Sequence, residues 1–316
     1  MIFNKKIIRI SNGQPNDHPD NIALRAFKEH LEGELGDKYE VQIFANELLG
    51  SSKNALELCQ TGALDMVIAS ASNMETFDRV YSIFSLPYLF NGVESYYETM
   101  QNKEITDLIY DKTIDQGVIT VGWFDAGTRN FYGSKPIETV EDVAGLKIRV
   151  QPSPTNVAMM DAFNAGAVPM SFSEVYTALQ NGTIDGAENN ELALTTVKHG
   201  EVAKYYSYNM HQIVPDLIVA NYNFVEGLEG RDREVFFEAL EIAEKIEQEE
   251  WTKQTLEAID HAENVMGVTF VEANVNSFRE KVLPLHEKVI SENENLRPIY
   301  EAIDAINNKY AGEVSN

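Results

Sequence analysis

Residues 6–70 read KIIRISNGQPNDHPDNIALRAFKEHLEGELGDKYEVQIFANELLGSSKNALELCQTGALDMVIAS, and this stretch decides the fold. KIIRIS, 6–11, is a short apolar strand ending at Asn12-Gly13. Residues 19–35 read as a helix with a proline in its first turn. Residues 39–45 alternate like a strand, with Tyr39, Val41 and Ile43 on one face. Ser51 caps a helix through Cys59, and Gly62 lies just past its end. DMVIAS, 65–70, is a third strand. Alternation of strand and helix predicts an α/β fold with a mainly parallel sheet covered on both faces.

The same pattern continues beyond residue 70. A helix is expected from about Glu94 to Lys112 and a strand over 117–124. Arg129–Gly133 opens a second lobe, and LKIRVQ, 146–151, is a strand stopped by Pro152. Ser171 and Glu174 form a capping box before VYTALQ, which Gly182 ends. A further strand is expected over 217–224. Residues 232–264 contain no Gly or Pro and carry apolar side chains at helical spacing, which predicts one helix of about 45 Å. A break near Glu249–Glu250 is the alternative.

The chain has 316 residues, enough for two lobes. Its 50 acidic and 25 basic residues give a net charge of −25, which argues against nucleic acid and against anionic lipid. An acidic protein binds an acid only through a local, partly desolvated positive site, so arginines become the search target. Cys59 stands alone, which excludes an intramolecular disulfide. No apolar run is long enough to span a membrane. Residues 1–6 lack the apolar core of a secretory signal, which leaves a cytoplasmic protein or a removed signal as readings. Searches for G-x-S-x-G, a P-loop, H-E-x-x-H and G-x-G-x-x-G find nothing, and the six histidines have no metal-site spacing.

Several polar residues stand where α/β sheets bind ligands, beyond the carboxyl ends of strands. In LKIRVQ the alternation puts Lys147, Arg149 and Gln151 on one face. Arg149 suits a bidentate carboxylate contact that lysine cannot reproduce, or else a structural ion pair. Arg129 precedes the aromatic strand NFYG and is either a ligand group or a surface loop arginine. DGAENN, 185–190, offers Asn189 and Asn190 for a ligand or for local Asx turns. SNGQPNDHPD, 11–20, offers Asn12, Gln14 and His18, or else forms a solvated loop with a helix cap at Asp17. Glu75, after DMVIAS, is a candidate acceptor for hydroxyls.

Taken together, SKPIETVEDVAGLKIRVQ (134–151), AGTR (126–129), MSFSEVYTALQNGTIDGAEN (170–189), LDMVIAS (64–70) and IFSLPYLF (83–90) resemble the solute-binding proteins of TRAP transporters, the DctP-type family. The resemblance covers most of the chain. It implies a two-lobed periplasmic-binding-protein-like fold with crossing strands and a long helix spanning both lobes. The lobes would be 1–126 with 214–252, and 127–213 with 253–316. It places the family's main carboxylate-binding arginine on Arg149, a second arginine on Arg129 and a ligand-contacting asparagine on Asn189. An organic acid would sit between the lobes, which close by hinge bending and present a surface to a membrane permease. The family implies a periplasmic, monomeric protein without cofactor or metal, its signal peptide missing from the chain as given.

Within the family, sialate-binding members carry acidic residues near 49–51 and 70, where this chain holds Ser51, Ser52 and Ser70. TRNFYGSKPI, RVQPS and YTALQNGTIDGAENN look most like the branch binding hexuronates such as glucuronate or galacturonate. Arg149, Arg129, Asn189, Gln151, Glu75, Asn12 and His18 supply one carboxylate clamp and several hydroxyl partners for such a sugar acid. Tyr132, Phe172 and Tyr176 are either an apolar wall or core. A C4-dicarboxylate ranks second. The competing classes are a sugar-acid enzyme, with Glu75 or Glu188 as base, and a ligand-sensing module.

Overall fold

A computed structural model describes residues 5–311, so the reading of residues 1–6 lies outside it except at the last two. Eleven strands lie among the described residues: β1 Lys6–Asn12, β2 Tyr39–Phe44, β3 Met66–Ser70, β4 Val118–Phe124, β5 Thr128–Gly133, β6 Lys147–Val150, β7 Gly166–Pro169, β8 Gly186–Asn189, β9 Tyr205–Ile213, β10 Asp216–Asn221 and β11 Thr269–Glu272. The chain divides into two compact units. Met1–Ser70, Thr113–Asp125 and Asp216–Leu256 form the first; Ala71–Lys112, Ala126–Pro215 and Glu257–Asn316 form the second. Residues 71–112, expected with the first lobe, therefore belong with the second unit.

The first unit holds a sheet of order β2-β1-β3-β10-β4. β1 pairs parallel with β2 and β3, because the helices Pro19–Leu35 and Ser52–Gln60 carry the chain back between them. β10 runs antiparallel to both β3 and β4. The sheet is thus mixed rather than mainly parallel: β10 reaches it from a distant part of the chain, without a helical crossover to impose direction. Ile8, Ile10, Leu24, Phe27, Ile218, Phe236 and Leu240 form part of its core.

The helix Gly230–Asn264 is continuous over 35 residues, with no break near Glu249–Glu250. It runs through the unit boundary at Leu256/Glu257. Its buried positions Val235, Phe236, Ala239, Leu240 and Ala243 recur at helical spacing.

Two expected bounds move, each because a polar side chain intervenes. The helix expected from Glu94 to Lys112 is two helices, Val93–Gln101 and Lys103–Tyr110. Asn102 is extended between them, and its side chain accepts from the Glu104 amide. The strand expected over 217–224 stops at Asn221, whose Oδ1 caps a helix at Phe224. The first helix keeps its expected bounds, Pro19–Leu35, and is capped by His18 Nδ1, which accepts from Asp20 N, rather than by the alternative cap Asp17.

The second unit holds a sheet of order β11-β9-β5-β8-β6-β7. β6 is parallel to β7 and β8, while β5 is antiparallel to β8 and β9. β5 and β8 approach closely at two glycines. A Cβ on Gly133 would lie 2.7 Å from Asp185 O, and one on Gly186 would lie 2.8 Å from Tyr132 O. Tyr132, Val175, Ala187, Leu194 and Tyr206 pack beside them. Among the described residues no helix is long and apolar enough to cross a membrane.

Candidate functional site

Arg149 stands on β6, between β7 and β8, and is only 3% exposed. Its Nε and Nη2 both donate to Met170 O, at 3.2 and 3.0 Å. Its guanidinium carbon lies 5.8 Å from the centre of the Phe172 ring. Phe172 is half-buried and begins the short turn that the Ser171–Glu174 capping box starts. A carbonyl and a ring together orient the guanidinium plane.

That buried charge marks its surroundings. Burial first, and the Arg149 charge second, pull the His199 imidazole down to about 3. Burial pushes the Tyr132 hydroxyl above its usual range, with Arg149 opposing. Tyr132 and His199 Nδ1 share a hydrogen bond of 2.7 Å, and the Phe172 ring meets His199 edge-on at 5.5 Å. Tyr132 is core behind the arginine. The Tyr176 hydroxyl donates to Glu201 Oε2 at the surface.

Arg129 on β5 is equally buried but differently held. Nε donates to Glu188 Oε2 at 2.5 Å, and Nη2 donates to Glu188 Oε1 and to its main-chain carbonyl at 2.9 and 2.8 Å. Nη1 donates to Asn189 Oδ1 at 3.2 Å. Burial alone would raise the Glu188 carboxyl. The Arg129 charge and the His211 hydrogen bond overcome it and hold the group at about 2. Arg129 and Glu188 are therefore both ionised, and their charges cancel locally.

His211 completes this cluster. Nε2 lies 3.1 Å from Glu188 Oε2 and Nδ1 lies 3.1 Å from Asn209 Oδ1. Asn209 Oδ1 also accepts from the Phe131 amide, an unambiguous donor, which fixes which end of the Asn209 amide faces the ring. Burial pulls the imidazole below its usual value against the pull of Glu188.

Around the two arginines lie several buried amides. Asn189 Oδ1 accepts from the Asn190 amide as well as from Arg129, and Asn190 Nδ2 donates to Ala126 O. DGAENN is thus strand β8 with its end, not only a turn. Gln151 is 8% exposed, and its Oε1 makes no hydrogen bond among the described residues. Glu75 is buried, and its oxygens accept from Ser153 Oγ, Thr155 N and Thr155 Oγ at 2.5, 3.1 and 2.7 Å. It secures the first turn of the helix Pro154–Ala162.

The remaining candidates belong to the first unit. Asn12 ends β1, and its Oδ1 accepts from the Gln14 amide at 3.0 Å, an Asx turn. Gln14 is half-buried, and its main-chain carbonyl accepts from Asn21 Nδ2 and Asn46 N. His18 is buried, with its ring 5.8 Å from that of Trp251. The alternative reading of 11–20 as a solvated loop does not hold at Asn12 and His18, which are buried.

Sequence reasoning did not find Glu188 and His211 as partners of Arg129. Both are fully buried, and no periodicity or motif around them announces an ion pair across strands.

Two α/β units, one uninterrupted 35-residue helix and two buried arginines on one mixed sheet define the class of periplasmic-binding-protein-like solute receptors. Within that class the chain belongs to the bacterial extracellular solute-binding proteins of family 7, the DctP family, whose sequence model matches residues 10–293. A solved TRAP periplasmic solute binding protein from Anaerococcus prevotii, with bound α/β D-glucuronate, is 47% identical with a TM-score of 0.95, covering 97% of this chain and 99% of that one. One from Sulfitobacter, with bound β-D-galacturonate, is 30% identical with a TM-score of 0.90, covering 96% and 100%. The Salmonella typhimurium protein YiiZ, itself uncharacterised, is 37% identical, covering 96% of this chain and 92% of its own length.

Proposed function

We propose that the protein captures a hexuronate, such as D-glucuronate or D-galacturonate, outside the cytoplasm and hands it to the membrane permease of a TRAP transporter. It works as a monomer, without cofactor and without chemical turnover. The observation that carries this reading is Arg149, a buried guanidinium whose plane is set by Met170 O and Phe172. In a water-poor setting a bidentate arginine–carboxylate contact is far stronger than at a wet surface. The hexuronates held by the Anaerococcus and Sulfitobacter relatives support the choice of acid.

Arg129 supplies direction rather than net charge, because Glu188 already balances it. Together with Asn189 it suits the polar face of a monocarboxylate. A C4-dicarboxylate brings a second negative charge that the neutral Arg129–Glu188 pair does not match. Glu188, held ionised at about 2 between Arg129 and His211, is a poor general base near neutral pH.

Calorimetric titration with D-glucuronate, D-galacturonate and succinate tests the reading. Hexuronates should bind with release of heat and without product formation on prolonged incubation. Tighter binding of succinate than of either hexuronate would discard the proposed acid. Turnover of any ligand would discard the receptor role.

A further inference from the structure

The pairing of β5 with β9 slips sharply beside Arg129. Arg129 lies opposite Gln212, but Phe131 lies opposite Ser207, so two steps on β5 are matched by five on β9. The surplus residues form a bulge that contains Asn209, Met210 and His211. Met210 sits at its crest with φ 48, a left-handed conformation that a side chain of this kind rarely adopts.

Segment 85–88 grips this bulge from outside the sheet. Tyr88 N donates to His211 O at 2.8 Å, and Tyr88 Oη donates to Asn209 O at 2.6 Å. These two bonds straddle Met210. A third tie is Gln212 Nε2, which donates to Ser85 O at 2.5 Å. On the opposite side, Asn130 Oδ1 accepts from the Met210 amide. Tyr88 is itself left-handed, with φ 55, and the Arg279 guanidinium lies 5.2 Å from its ring centre. Two rare backbone conformations facing each other across two hydrogen bonds persist only where surrounding contacts over-determine them.

The bulge is what turns His211 toward Glu188. With an even register, β9 would place another residue there and Glu188 would lose its second partner. We propose that Tyr88 is a positioning residue for acid binding: it clamps the β9 bulge, the bulge aims His211 at Glu188, and Glu188 orients Arg129. The ligand half of this proposal rests on the hexuronate reading above.

The test is Tyr88→Phe, which removes the bond to Asn209 O and keeps the ring beside Arg279. D-glucuronate affinity should fall roughly five- to tenfold, the scale of one buried hydrogen bond lost upstream of the site. The ¹⁵N signals of the His211 ring should shift, which a merely structural change at Tyr88 would not produce. In a His211→Gln background the same substitution should weaken binding no further. Wild-type affinity in Tyr88→Phe, unmoved His211 signals, or losses that multiply in the double variant would each overturn the clamp. If the wild type binds no hexuronate, the functional reading fails instead. The His211 signals then decide the clamp by themselves: shifted signals in Tyr88→Phe support it and unmoved signals overturn it.

Discussion

Arg129 and Glu188 form a buried bidentate pair, with Nε to Oε2 at 2.5 Å and Nη2 to Oε1 at 2.9 Å. Both partners are cut off from water, so neither charge is tolerable without the other. Arg129→Ala should therefore act mainly on the fold. It leaves the buried Glu188 carboxylate with only His211 beside it, and the expected destabilisation is about 3–5 kcal/mol, read by urea denaturation. A loss of affinity with unchanged stability would mean that Glu188 finds another counter-charge.

Arg149 should behave in the opposite way. Its held atoms donate to a carbonyl and its ring neighbour is apolar, so Arg149→Lys keeps a positive charge while losing the planar fork. Hexuronate affinity is expected to drop by about one to two orders of magnitude, the worth of a charge-assisted bidentate contact. The melting temperature without ligand should change little. Wild-type affinity in this variant would remove Arg149 from the site.

Acid should weaken the second unit through buried groups that include His199 and Glu188. His199 titrates at about 3 in the folded protein against its usual 6.5, so the unfolded chain binds the proton first. Its contribution to stability is full above about pH 6.5 and is lost as pH falls toward 3. Glu188, at about 2 against 4.5, contributes fully above pH 4.5 and loses its share as pH falls toward 2. His199→Gln should flatten the decline of unfolding free energy between pH 6.5 and 3, and Glu188→Gln the decline below 4.5. Slopes identical to wild type would assign acid sensitivity elsewhere.

A buried acid in the first unit has the reverse sign. Glu247 lies on the long helix, with Oε2 accepting from the Asp125 amide. Burial, then the charges of Asp20 and Asp125, push its carboxyl well above the usual range. The folded protein thus keeps a proton that the unfolded chain releases above pH 4.5, and stability falls as pH rises from there. Glu247→Gln supplies a neutral group of the same shape. It should raise the melting temperature at pH 8 more than at pH 5. A lower melting temperature at pH 8 would show that Glu247 is needed ionised.

Much of the fold is legible along the chain because it is local. Strand and helix periods in 6–70 are set by neighbouring residues, as are the caps at Ser51 and Ser171–Glu174 and the unbroken helix through 232–264. The misplaced bounds at Asn102 and Asn221, and the cap at His18, are local too. There a polar side chain competed with periodicity and its capping role was overlooked.

At the candidate site the division is sharper. The alternation in LKIRVQ put Arg149 at a strand's carboxyl end, but whether it stood at the surface was open until Met170 and Phe172 were seen around it. Arg129 looked like a loop residue, and only the pairing of β5 with β8 brought it to Glu188.

By itself, then, the sequence determined the order and length of most elements, the absence of a basic surface and the family to which the chain belongs. The tertiary structure alone decided the mixed strand directions, the bulge at Met210 and the company each arginine keeps. The physical reason is that strand register and cross-strand partners depend on residues far apart in the chain, and a slip of one residue turns a side chain to the other face.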